Sequence, residues 1–236
     1  MKLKRFIKDN FPAYSYLPLL GILITHALVW GITKAITKDL PATDVTLPID
    51  AQIPLVPAWV VIYVLAFVLW GMGLLMIMRE EREKCYKMFA GVVIAELICC
   101  AFFIGLPSCV VRPEIVVDDA FSWALATIYT TDTPTNCFPS MHCMFAYMAF
   151  RQSLCCRVSK GMRVFCGIFA VLVFLSTLFV KQHVVVDVFG GVFFGEIAFL
   201  LGHKLPLWKI FNKINKKNLA KSLLIWFNLY KPSANV

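Results

Sequence analysis

The chain has 236 residues, 60% of them hydrophobic, and a mean hydropathy of +0.76. An ordinary water-soluble domain carries roughly 45–50% apolar residues; here they also fall in long runs, which excludes a simple globular enzyme. The formal net charge of +9 would suit a nucleic-acid partner, but its distribution follows membrane topology, so no nucleic acid is expected.

Crossing a bilayer by helix takes about 20 mostly apolar residues, and backbone groups in lipid must be satisfied internally, which selects helices. Six runs fit: residues 16–32, 56–78, 89–108, 140–156, 164–180 and 184–201. The first follows a basic start, but it is too long for a signal-peptide core and no A-x-A-like site follows, so it reads as an uncleaved span. Residues 39–57, rich in Pro and Asp, read as an outer loop, and "REEREK" at 79–84 as a solvated inner loop. Residues 111–139 carry Arg112, Glu114, Asp118, Asp119 and Asp132, and are too polar and short to cross and return. Their middle, "AFSWALATIY", predicts a short helix over the outer face. Arg151 interrupts the fourth run, where it is expected to snorkel toward the headgroups. Beyond residue 204, "LWKIFNKINKKNLAKSLLIWFNLY" alternates Lys with large apolar residues, the pattern of a basic amphipathic helix on the inner leaflet.

With a cytoplasmic N-terminus, 19 of the 23 Lys and Arg fall inside, the positive-inside bias. The expected architecture is an all-α integral membrane protein of six transmembrane helices with both termini cytoplasmic. Residues 1–204 form one membrane domain and 205–236 a basic amphipathic tail. Most of the nine cysteines lie in spans, where they pack as small apolar groups. Cys109 and Cys137 share the outer side without a spacing that demands a bridge. No ligand spacing argues for a metal.

Candidate chemistry gathers in "STLFVKQHVVVDVFGG", residues 176–191. Ionisable groups beside lipid are costly and mark function. His183 and Asp187, four residues apart, would share one helix face. The carboxylate then fixes the tautomer and leaves the other ring nitrogen free as a nucleophile. His142 lies 41 residues earlier, and two crossings of about 20 residues return the chain to the same side; it suits a proton donor. Arg112, after the third span, and Lys181 add positive charge where an anion would sit. A nucleophile, a proton source and a charge clamp are what phosphoryl transfer needs. Each residue alone has an ordinary explanation, as an interface anchor or a buried ion partner; their joint placement points to a site. His26 and His203 have no company in this pattern. Glu96 and Glu196, deeper in their spans, are expected to pair structurally.

At these residues the sequence resembles the phosphatidic acid phosphatase type 2 superfamily, whose pattern is K-x6-R-P, P-S-G-H and S-R-x5-H-x3-D. The chain has "RP" at 112–113, "PSMH" at 139–142 and "STLFVKQHVVVD" at 176–187. The resemblance covers the third to sixth spans. It implies that His183 attacks phosphorus and forms a phosphohistidine, that Asp187 orients it, and that His142 protonates the leaving oxygen. Arg112, Ser140 and the backbone near Met141 would hold the phosphate oxygens. No cofactor and no metal are implied. Three positions depart: Gly105 stands for the lysine, Thr177 for the arginine and Met141 for the glycine. Lys181 is expected to replace one missing cation. Loss of the glycine resembles the branch near inositol phosphorylceramide synthases, which pass the headgroup to a lipid alcohol. The expected activity is therefore a membrane lipid phosphatase, cleaving a phosphate ester or diphosphate of an amphiphile at the non-cytoplasmic face. A lipid phosphotransferase of the inositol phosphorylceramide or sphingomyelin synthase type comes second, and a non-catalytic membrane scaffold or transporter third. The expected partners are a lipid phosphate and the membrane.

Overall fold

Apolar runs whose backbone has no other partner close into helices, and the computed structural model, which describes residues 10–214, is built almost wholly from them. In chain order they are α1 (Tyr16–Thr37), α2 (Val60–Met78), α3 (Arg82–Gly105), α4 (Ala120–Thr131), α5 (Met141–Ser153), α6 (Lys160–Phe179), α7 (Val185–Lys204) and α8 (Trp208–Ile214). The amphipathic pattern expected beyond residue 204 lies mostly outside the described residues.

Five helices (α1, α2, α3, α6 and α7) are long and apolar enough to cross a membrane. Their outer faces carry half-exposed Leu23, Leu28, Phe67, Val164 and Ile168, with Phe189 more exposed still. Water does not tolerate so continuous an apolar surface, so this is a multi-pass membrane protein.

The fourth expected span is shorter than the sequence suggests. The helix α5 has 13 residues, about 20 Å at 1.5 Å per residue, against roughly 30 Å of hydrocarbon. Its second residue, His142, packs on Tyr63, Phe67 and Trp70 of α2, the fourth to eleventh positions of that helix. Thus α5 begins below the end of its neighbour. Its far end reaches the α2–α3 turn, where Lys84 donates to the Cys155 carbonyl.

That turn is not simply solvated, as its mixed charges suggested. Glu80 is buried and accepts from the Arg157 backbone N–H and the Lys84 ammonium, both at 2.6 Å. Its own carbonyl accepts from the Tyr14 hydroxyl at 2.6 Å. Arg151 pairs with Glu196 at 3.0 Å, and the Tyr147 hydroxyl donates to the same carboxylate.

Inside the bundle, α3 packs against α7 and α1, while α5 packs against α2, α6 and α7. Tyr86, Phe89, Leu69, Met144 and Met148 fill the core. The backbones of α3 and α7 approach closely. A Cβ on Gly202 would lie 2.4 Å from the Gly91 nitrogen and 2.6 Å from its Cα.

Around the other end of the bundle, residues 39–57 are more ordered than a plain loop. Strand β1 (Thr43–Asp44) pairs in parallel with β2 (Ser108–Cys109). The short helix expected in 111–139 is present as α4. Asp119 caps it by accepting from the Ser122 backbone at 2.7 Å, while Ser122 Oγ receives the Asp119 N–H. The Ser122 hydrogen bonds hold the Asp119 carboxyl below its ordinary range. Leu125 of α4 packs on Val60 and Tyr63 of α2 and on Val180. Cys109 and Cys137 are both free thiols, facing the Ala42 and Pro134 carbonyls respectively.

Gly202→Val must push α3 away from α7, and overpacking of this kind costs about 1–3 kcal/mol. It is expected to lower the Tm in detergent clearly. Gly21→Ala, where a Cβ meets nothing within 4 Å, should leave the Tm near wild type.

Candidate active site

The chain leaves α6 through a reversal that decides where His183 sits. Val180 N–H donates to Ser176 O at 2.9 Å, Lys181 takes a left-handed φ of 52°, and the N–H groups of Gln182 and His183 both reach Thr177 O at 3.1 Å. This is the carbonyl-satisfying logic of a helix C-terminus. His183 therefore lies in the turn before α7 and not on a helix face. Its contact with Asp187 arises because Asp187 caps the first turn of α7. Asp187 Oδ2 accepts from the Val184 N–H at 3.1 Å and lies 3.2 Å from His183 Nδ1. With Nδ1 held, Nε2 is the free nitrogen.

From α5 comes the second histidine. Ser140 caps that helix, its Oγ accepting from the Cys143 N–H at 3.2 Å, while its own N–H donates to Asp187 O at 3.1 Å. Gly191 makes this join possible, since a Cβ there would lie 2.7 Å from Ser140 O. Two helix N-termini thus meet at one place, and their dipoles favour negative charge between them. The His142 ring stacks on Tyr63 with centroids 4.2 Å apart and stands 6.0 Å from the His183 ring. His142 Nε2 is buried without a partner.

Both histidines line a cavity of about 530 Å³, together with Arg112, Met141 and Gln182. The Arg112 guanidinium donates to Asp132 O at 2.6 Å and to Gln182 Oε1 at 2.5 Å, and lies over the Tyr129 ring at 4.7 Å. Burial pushes the Tyr129 hydroxyl up to about 12, so it stays protonated and donates to Val180 O at 2.8 Å. Ser140 and Asp187 are fully buried behind the cavity wall.

Lys181 is not brought to the cavity; its ammonium donates to Asp50 O at 2.9 Å. The second cation lining the cavity is Lys34, in the last turn of α1, held by Thr131 O at 3.2 Å. At the departing positions, Thr177 is fully buried with its Oγ1 on Phe174 O, and Gly105 ends α3 with open space around its Cα.

Four residues escaped the pattern. His26, which looked isolated, lines the cavity and is paired with Glu96 at 2.8 Å, 70 residues away. Tyr63 and Gln182 have neighbours no local spacing reveals. Asp50 is buried in the outer-end loop and its Oδ1 accepts from the Val185 N–H at 2.8 Å. With Lys181 on its carbonyl, Asp50 holds the His183 turn from both sides. A Pro- and Asp-rich loop is the only sequence signal it gives. His203 donates to, or accepts near, nothing in the cavity; its Nδ1 lies on Phe199 O.

A family model described as the PAP2 superfamily matches residues 85–211. No curated protein and no solved structure matches the chain.

Asp50→Ala strands the Val185 N–H, a loss of about 1–3 kcal/mol for a buried donor. Acting through the His183 turn, it is expected to cut kcat roughly tenfold with KM changed little. Asp50→Asn, which keeps an acceptor, should recover most of the rate; steady-state kinetics of the two variants check this.

Proposed function

The chain belongs to the PAP2 superfamily, which generally comprises phosphatases and phosphotransferases, and on that premise we propose that it hydrolyses a phosphate ester or diphosphate of an amphiphile through a phosphohistidine. The observation that carries the reading is the pair of rings at 6.0 Å on one cavity, one of them held by a buried carboxylate and both beside Arg112.

In the first step His183 Nε2 attacks phosphorus, the bond to the leaving oxygen breaks, and His142 gives that oxygen its proton. Water then attacks the phosphohistidine, its proton passes to His142, and the N–P bonding pair returns to His183. Asp187 fixes the tautomer and steadies the charge that builds on the ring. Arg112 is held by the Asp132 carbonyl and Gln182, so its charge is oriented before an anion arrives, the kind of preorganisation that lowers barriers most. Lys34 takes the role of the second cation. The excess of Lys and Arg at the opposite end of the spans supports an active site facing the non-cytoplasmic side. Transfer to a lipid alcohol is the second reading; an apolar cleft of about 270 Å³ that meets the first cavity at His26, Phe67 and Trp70 favours it.

Phosphate release from phosphatidate, a sphingoid phosphate and a polyprenyl diphosphate tests the reaction. His183→Ala is expected to abolish release, and His142→Ala to reduce it by about 10²–10⁴, the usual range for a general acid–base group. Wild type quenched in alkaline detergent should carry base-stable, acid-labile label from a 32P donor; release unchanged in His183→Ala would falsify the mechanism. For the cations, Lys34→Met should lower kcat/KM at least about tenfold, as expected on losing a charged hydrogen-bond donor. Lys181→Met should cost less, because its ammonium serves the turn.

A further inference from the structure

Gln182 precedes His183 in the turn between α6 and α7 and lines the same cavity. Its backbone N–H lies on Thr177 O at 3.1 Å, so its side chain issues from beside that buried threonine. The residue is 2% exposed, and its Oε1 accepts from Arg112 Nη2. A guanidinium can only donate, which settles the amide's orientation, oxygen on Arg112 and nitrogen free. Gln182 Nε2 is buried without a partner, and so is Arg112 Nε. The guanidinium commits Nη2 to Gln182 and Thr133 O and Nη1 to Asp132 O, which leaves its Nε–H over. Buried donors without acceptors are costly. These two are tied together on the wall of the cavity that both histidines line.

Paired donors beside a nucleophile complement a group that only accepts, such as the oxygens of a phosphoryl group. We propose that Gln182 Nε2 is a catalytic hydrogen-bond donor which, with Arg112 Nε, holds the non-bridging oxygens as His183 Nε2 attacks phosphorus. The assignment rests on the phosphohistidine reading above. Charge in that transition state is spread over the equatorial oxygens, and fixed donors aimed at them stabilise it without reorganising. The amide keeps its protons throughout, so the proton exchange between His142, the leaving oxygen and water is unchanged. Arg112 also acts through Gln182. By binding Oε1 it leaves the NH2 group no other orientation, and it polarises the amide into a stronger donor. A neutral donor thus stands against Thr177, where the motif's arginine is absent, while Lys34 lines the cavity from α1 as the second charge.

Titration of full-length protein in nanodiscs with two inorganic anions tests the donor. Orthovanadate can take on the five-coordinate shape of the transition state on His183, whereas inorganic phosphate stays tetrahedral. A group that acts in the transition state matters more to the first than to the second. Gln182→Glu keeps an oxygen for Arg112 Nη2 and removes the donor. Its new carboxylate repels both anions alike, so the ratio of vanadate to phosphate affinity isolates the lost hydrogen bond. That ratio should fall at least about tenfold, and kcat on a lipid phosphate by about 10²–10³, the usual effect of removing one oxyanion donor. Gln182→Met, which brings no charge, should lower the ratio at least as far, and it decides alone should the acidic variant fail to fold. A wild-type ratio in either folded variant overturns the donor role and leaves Gln182 as a positioning residue for Arg112. Wild type that binds vanadate no more tightly than His183→Ala does overturns the phosphohistidine reading, and the donor role with it.

Discussion

The buried carboxylate of Asp187 is the constraint on which the candidate site depends. Nothing of it reaches solvent, and an isolated charge in such a place would be prohibitive. It is tolerable because the first turn of α7 supplies an N–H and the helix end supplies partial positive charge. The same residue's carbonyl receives the Ser140 N–H and so fixes where α5 begins. One residue thus sets the ring of His183 and the starting point of the helix that carries His142. The glycine at 191 is what lets the two helix starts come close enough.

Much of this could be read in advance, for physical reasons that also explain what could not. Hydropathy marks where chain can lie in lipid, and five long helices follow from it. It does not mark where a helix begins, so α5 looked like a full span although it starts at a sunken site. The four-residue spacing of His183 and Asp187 correctly implied contact, but for the wrong local reason: a cap in the first turn, not a shared helix face. The pairings of Glu96 with His26 and of Glu196 with Arg151 join residues 70 and 45 positions apart. Spacing rules reach only one or two turns, which is why the carboxylates were expected to pair and His26 was not expected to have a partner. Asp50 was hidden for the same reason, since its partner amide is 135 residues away.

The departures from the family pattern also have a structural sense. A buried position at Thr177, whose carbonyl gathers two N–H groups, does not present its side chain to the cavity. Beside the motif's own Arg112, which Gln182 and two backbone carbonyls hold in place, the cavity is lined by a second cation from α1, Lys34.

The cavity shared by His142 and His183 is walled on one side by α1 and α2, whose Trp30, Val64 and Phe67 line it while remaining half exposed on the apolar surface. Its mouth therefore has an apolar side made by these residues and a polar side made by Lys34, Thr131 and Thr133. For the proposed reaction on a lipid phosphate, the apolar side admits substrate by two-dimensional diffusion within its own monolayer, without extraction from it. Saturation then follows the mole fraction of lipid around the protein, and diluting the substrate with inert lipid slows the reaction even when its bulk concentration is held constant.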